Sequence, residues 1–254
     1  MTRKLGRVAS RQDPRTLRLA RYIDTKLLPA APSARDWSHP AVAPSWRMFM
    51  NDQIGCCTCA SIGHLWTAQA ANSGKPFAID DSDILGTYEA AGGYDPERPE
   101  TDRGAQMLDV LVRLRDVGMA AQKVGAFASV SPTNRAHVEA AINLFGGVYV
   151  GLELPRSAMD QTVWDVAPPG KYDASYDRNS WGGHAVAMLG YDRTHVTFVT
   201  WGQIKIATVE WFLTYCDEAW CLVDDLWVTE TSLAPSGFNI EMLRSDLALI
   251  NAEH

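Results

Sequence analysis

The chain is 254 residues long, 46% apolar and 21% charged, with a net charge of −7. That is enough chain for a substantial core, and its composition excludes a low-complexity or disordered polymer. No apolar run is long enough to span a bilayer, so no membrane partner is expected, and the acidic balance argues against nucleic acid as the main partner.

The charge is uneven. Residues 1–26 hold eight Lys/Arg against Asp13 and Asp24, which leaves −13 on the rest of the chain. With scattered Leu, Ala and Ile up to residue 28, this stretch is expected to be partly helical and solvated. The alternative is a basic arm docked on the acidic body or on an anionic partner, the one route by which nucleic acid would bind. Pro29-Ala30-Ala31-Pro32 ends it and begins an extended connector through Pro40 and Pro44. Trp37 and Trp46 predict that the connector is pinned to the body. Residues 1–47 therefore read as a basic arm with a Pro-rich connector, suited to an assembly contact better than to an inhibitory pro-segment, ahead of a domain over 48–254.

Three of the five cysteines fall within four positions of Asn51-Asp52-Gln53-Ile54-Gly55-Cys56-Cys57-Thr58-Cys59. Small and apolar residues without proline follow, as far as Asn72-Ser73-Gly74. The pattern predicts a tight loop entering a helix, with a cysteine in the first turn. Unpaired N–H groups and the positive helix end stabilise a thiolate there. Buried structural cysteines or metal ligands are the plainer alternative. The spacing C-C-x-C is not a usual zinc pattern and no second CxxC or HxxxH answers it, so no metal or cofactor is expected. The N-terminus lacks the apolar core of a secretory signal, which makes reduced thiols the default. A disulfide from Cys56 or Cys59 to Cys216 or Cys221 stays open.

Further on, residues 82–91 read as a helix, with Asp80, Asp81 and Ser82 as candidate caps, and Gly92-Gly93-Tyr94-Asp95-Pro96 ends it. Met107, Leu108, Val110, Leu111, Leu114 and Val117 recur at helical spacing, with Gly118 as the stop. Pro132 opens a second half: a helix over 137–145, a turn at Gly146-Gly147 and a strand at Val148–Leu154. Residues 155–179 read as loop. Two apolar β-rich runs, 182–191 and 195–202, are joined by Asp192-Arg193-Thr194 as a hairpin. A helix over 208–215, a strand over 219–223 and a short tail helix over 240–249 complete the reading. Helices first and strands later predict an α+β chain, with a helical lobe about 48–130, a β-rich lobe about 131–254, and a cleft between them.

The order of these parts resembles the papain-like cysteine peptidases, over about 48–225. Those carry an amide residue, then Gly-x-Cys at a helix start, a helical lobe, a β-rich lobe with His heading a strand, and a Trp-Gly motif on the next strand. The matching residues here are Asn51 or Gln53, Gly55-Cys56-Cys57, Gly183-His184-Ala185-Val186 and Thr200-Trp201-Gly202. Cys57 and His184 are 127 apart, near the roughly 130–150 of papain-type enzymes. Asp102-x-Gly104-Ala105 resembles the middle of bacterial members. The loop is most similar to a prokaryotic and phage branch reading Asn-Asp-x-x-Gly-Asp-Cys.

The resemblance implies a papain-like two-lobed fold and a cysteine peptidase or amidase acting on peptide or isopeptide bonds of a peptide or protein substrate, in a cytoplasmic or virion-associated setting. Cys57 would be the nucleophile, with Cys59 as the alternative if the count runs from Gln53. His184 would shuttle the proton, and Asn51 or Gln53 would supply an oxyanion donor. Dipole and imidazolium together would pull the thiol well below its usual range. His64, His137 and His195 are weaker candidates. Val199 stands where the family has an asparagine that orients the histidine, which leaves Thr200, a water or a backbone carbonyl for that task. Thr58 or Ala60 replaces the Trp that follows the nucleophile in plant members. Asn179-Ser180-Trp181-Gly182 mimics a family string but precedes the histidine. These departures keep a second reading in play: a catalytically weak or inactive protein with a structural or binding role, as in a phage particle.

Overall fold

The computed structural model describes residues 3–11, 13–14, 16–21, 31–39, 45–229 and 233–237. The element at its centre is α1 (Cys57–Ser73), which begins directly after Cys56 and ends at Gly74 in the left-handed conformation. Fourteen of its 17 residues are buried, and a helix apolar on every side belongs inside a core. Its polar side chains find partners there. The Trp66 indole donates to Asp224, the Gln69 amide to the Phe145 carbonyl, and the Ser73 hydroxyl to the Leu226 carbonyl.

Two further helices flank α1 and complete the helical lobe. The first, α2 (Asp81–Gly92), opens with a capping box in which Asp80 and Asp83 satisfy each other's backbone N–H. The second, α3 (Met107–Asp116), buries Met107, Leu108, Val110, Leu111 and Leu114. The other two helices are α4 (Arg135–Phe145), capped by the Asn134 side chain, and α5 (Val209–Tyr215), capped by Thr208.

The strands are β1 (Leu17–Arg18), β2 (Arg35–Asp36), β3 (Val124–Ser129), β4 (Val148–Leu154), β5 (Val163–Trp164), β6 (Gly182–Tyr191), β7 (His195–Thr200), β8 (Gln203–Thr208) and β9 (Cys216–Asp224). They form one sheet in the order β1-β3-β9-β4-β6-β7-β8-β5, with β2 paired on β6. Pairing is parallel for β1 with β3 and for β5 with β8, and antiparallel elsewhere. In β4 every residue but Glu153 is buried, as befits a strand covered on both faces. Strand β6 pairs with β4 along all of 182–188, but β7 covers it only from Ala187 onward. The first residues of β6 therefore present a bare backbone edge, and that edge faces the N-terminus of α1.

Several expectations are corrected. The described part of the basic arm is not a solvated helix: residues 3–11 are extended, with Arg7 bridged to Ala105, and 17–21 form a short strand and a 3-10 turn. Residues 22–28 lie outside the described residues. Strands β3 and β8 were not predicted, and β3 joins the sheet beside β9 although it precedes residue 131. The stretch 155–179 is not all loop, since it holds β5 and two 3-10 turns. All five cysteines are free thiols, so none of the open disulfides forms. The connector is pinned as expected. Trp37 is buried edge-on against Trp227, and its indole donates to the Ile142 carbonyl. Pro29, Ala30, Pro40 and Pro44 and the expected tail helix over 240–249 lie outside the described residues.

Candidate active site

Cys57 is the first residue of α1, and Cys56 occupies the cap position without a side-chain cap bond. A loop under strain delivers it: Phe49 and Met50 both adopt positive φ, 52° and 59°. Such backbone costs of order 1–3 kcal/mol per residue and persists where its surroundings over-determine it. Here Asp102 grips the loop, accepting the Gly55 N–H at 2.9 Å while also taking the Tyr88 hydroxyl at 2.6 Å. The Ala185 N–H donates to Cys57 Sγ at 3.4 Å, and the backbone N–H groups of Gly6 and Thr58 are near enough to favour its thiolate.

Ala185 is the neighbour of His184, so the bare end of β6 brings the histidine's strand onto the cysteine. His184 is fully buried, and its Nε2 lies 2.7 Å from Thr200 Oγ1. Its Nδ1 has no hydrogen-bond partner. Trp201 covers the imidazole, stacked at 4.2 Å with an interplanar angle of 13°. Trp201 and Gly202 form the two-residue turn between β7 and β8, with φ of 47° and 68°. This is the geometry of a hairpin turn that Asn-Gly ordinarily fills, and a tryptophan there is strained.

The arm fills the groove between the lobes. The Lys4 N–H donates to the Asn51 carbonyl at 3.0 Å, and the Trp201 indole donates to the Lys4 carbonyl at 3.1 Å. The Ala105 N–H donates to the Gly6 carbonyl at 2.8 Å, the Arg7 N–H to the Gly183 carbonyl at 3.1 Å, and the Val8 N–H to the Ala105 carbonyl at 3.0 Å. An extended segment thus runs between the β6 edge and the loop at Gly104–Ala105, bonded to both. The approach is so close that glycine is required on both sides. A Cβ on Gly6 would stand 1.8 Å from the Gly55 carbonyl oxygen, and one on Gly104 would stand 2.0 Å from that of Gly6. The segment therefore lies over Cys57 and occupies the groove.

This covering sets the charges. Burial pushes the Cys57 thiol up to about 11, against stabilisation by the Ala185 and Gly6 N–H groups and the Arg7 charge. Burial, with the nearby Arg7 cation, pushes His184 down to about 3. The expectation of a thiol far below its ordinary range is therefore corrected for the arm-covered state: both groups are neutral there.

The remaining candidates separate clearly. Cys59 is fully buried within α1 and pushed up to about 12 by burial. Asn51 is buried, with its amide donating to the Ile54 carbonyl at 3.2 Å, whereas Gln53 is exposed. His64 is buried against the Arg47 carbonyl and packed on Trp46 and Phe49. His195 begins β7 beside Thr194 and Asp192, and His137 sits in the first turn of α4. Arg7 is the residue sequence reasoning missed. Its side chain is 1% exposed and pairs with Asp217 at 2.6 Å and Glu218 at 3.0 Å. The available signal was the excess of arginine ahead of an acidic body. Among the described residues no group of three or more His, Cys, Asp or Glu is placed to hold a metal.

Solved structures share this architecture. Xylellain, a cysteine protease from Xylella fastidiosa, matches with a TM-score of 0.64 at 15% identity, covering 87% of this chain and 97% of that one. ProCathepsin B S9 from Trypanosoma congolense matches at 0.61 and 9% identity, covering 87% of each. Digestive procathepsin L 3 of Tenebrio molitor matches at 0.58 and 12% identity, covering 86% of this chain and 75% of that one. No protein-family model and no curated protein matches the sequence. The fold is that of the papain-like cysteine proteases: α+β and two-lobed, with the groove between a helical and a β-rich lobe.

Proposed function

We propose that the chain is a papain-like cysteine peptidase or amidase, described here with its own N-terminal segment in the substrate groove. The observation that carries this reading is the groove itself. An extended backbone is bonded on one side to a bare sheet edge and on the other to a glycine loop, with a thiol at the head of a helix between them. Such edges take peptides by strand addition. With a substrate in place of the arm, Cys57 would attack the carbonyl carbon to form a thioester. His184 would take the thiol proton and pass it to the leaving amine. The Cys57 N–H and the Asn51 amide would receive the oxyanion, and Thr200 would orient the imidazole from Nε2. The cleavage of isopeptide as well as peptide bonds, kinship with the prokaryotic and phage branch, and a cytoplasmic or virion setting belong to the same proposal.

The sealed thiol favours the second reading, a binding or assembly protein that keeps the fold without turnover. Incubating the full chain, and a variant with the arm displaced, with fluorogenic peptidyl amides separates the two. Cleavage abolished by Cys57→Ala supports the peptidase. No turnover from either form, with all five thiols alkylated slowly and alike only above pH 8, supports the assembly role.

A further inference from the structure

The Arg7 side chain ends in a pocket that the blocked groove explains only in part. A main-chain blocker needs no side-chain anchor, yet this one carries a guanidinium into a nearly closed slot. The slot passes over Gly151, where a Cβ would stand 2.8 Å from Arg7 Nη1 and 2.9 Å from Met107 Sδ. At its end two different residues each receive one nitrogen: Asp217 takes Nη2 and Glu218 takes Nη1. Glu218 is itself held in place by the Trp220 indole at 2.9 Å and is 5% exposed. A lysine ammonium would have to serve both carboxylates from one nitrogen, whereas the planar fork gives each its own. Among the described residues no other cation pairs with either carboxylate.

The pocket opens from the groove beside Cys57, because the Arg7 main chain is bonded to Gly183, next to His184. A peptide that follows the arm's course sets a side chain here. Unless that side chain is cationic, Glu218 is left buried without a counter-charge, which is strongly unfavourable. We propose that Asp217 and Glu218 form a specificity pocket selecting an arginine side chain of the substrate peptide, and that Arg7 occupies it in the substrate's absence. This rests on the peptidase reading given above.

The test uses the full-length chain as Arg7→Ala and as Arg7→Ala with Glu218→Gln, each with and without Cys57→Ala. Arg7→Gln, which keeps the stem, replaces Arg7→Ala if that variant does not fold. The first readout needs no catalysis. Millimolar ethylguanidinium should raise the melting temperature of Arg7→Ala saturably, where ethylammonium does less. It should leave the wild type unmoved and lose its effect with Glu218→Gln. The second readout, with Gly6→Ala added to each variant so that the arm leaves the groove, is kcat/KM for fluorogenic peptidyl amides with Arg, citrulline or Leu scanned through the two residues before the cleaved bond. At one position Arg should exceed its neutral isostere citrulline by about 100-fold in Arg7→Ala, and this ratio should collapse with Glu218→Gln. Equal rates for Arg, citrulline and Leu, or no saturable ethylguanidinium effect, would overturn the proposal. Ethylguanidinium stabilisation without cleavage of any peptide would sink the peptidase reading instead and leave guanidinium recognition standing.

Discussion

Gly6→Ala is the smallest change that should unseat the arm. The new Cβ would fall 1.8 Å from the Gly55 oxygen and 2.4 Å from its carbonyl carbon, where real contacts stay beyond 3.0 Å. Both neighbours are main chain, so no rotamer relieves the overlap and the segment must move. Moving it by more than 1 Å breaks the Gly6–Ala105, Arg7–Gly183 and Val8–Ala105 bonds. At about 1 kcal/mol each these amount to ~3 kcal/mol, or about 100-fold in the closed-to-open ratio at 1.36 kcal/mol per decade. The assay is iodoacetamide labelling at neutral pH, with the modified thiol located by mass spectrometry. Cys57 should react about 100-fold faster than in the wild type, while the other four buried cysteines stay slow. If Cys57 in Gly6→Ala labels at the wild-type rate, the arm is not what shields it.

Three further outcomes follow from the same contacts. Thr200→Val leaves the buried His184 Nε2 unpaired. In a Gly6→Ala background it should lower kcat by about 10- to 100-fold with KM little changed, and an unaltered kcat would remove Thr200 from the mechanism. Asp102→Asn weakens the joint between Gly55 and Tyr88, and the urea midpoint should fall by about 1.5–3 kcal/mol of stability at constant m-value. The acid limb of stability carries a sign that can be worked out. Burial holds His64 and His184 down at about 4 and about 3, so below pH 6.5 the unfolded chain binds two protons that the fold refuses, and stability is lost as pH falls. Burial also raises Asp224 to about 6, so the fold binds a proton there before the unfolded carboxylate does, which opposes the loss. Between pH 6 and 4 these three groups together contribute about one proton, or ~1.4 kcal/mol per pH unit. Asp224→Asn should steepen the slope of urea midpoints toward two protons, and an unchanged slope would show that the carboxylate is not buried as described.

What the sequence disclosed followed from local physics. Asp80 and the Cys57 helix start were legible because caps and glycine stops act within one turn, and the hairpin over 182–202 because alternation and the Asp192-Arg193-Thr194 turn act across a few residues. The cysteine loop and the histidine strand could be named because each carries its own short pattern. Strand β3 was missed because Val-Gly-Ala-Phe-Ala-Ser has small residues and no clean period. Strand β8 did alternate, through Ile204 and Ile206, but it is too short to stand out ahead of α5. The course of the arm was illegible for a different reason. Its partners, Asn51, Ala105, Gly183 and Glu218, are spread over more than 160 residues of sequence, and its strand character comes from them and not from its own composition. For the same reason the covered state of Cys57, and with it the neutral thiol, could not be foreseen from a helix dipole alone.

The turn at Trp201 holds strain that its packing offsets. Asparagine would sit in that left-handed backbone more easily, yet the indole is 4% exposed and lies against Trp164, Trp181 and His184. Losing such a side chain costs about 3–5 kcal/mol, more than the roughly 1–3 kcal/mol of the backbone. The corner is thus kept bent by the ring it carries, and the imidazole beneath is roofed as a result.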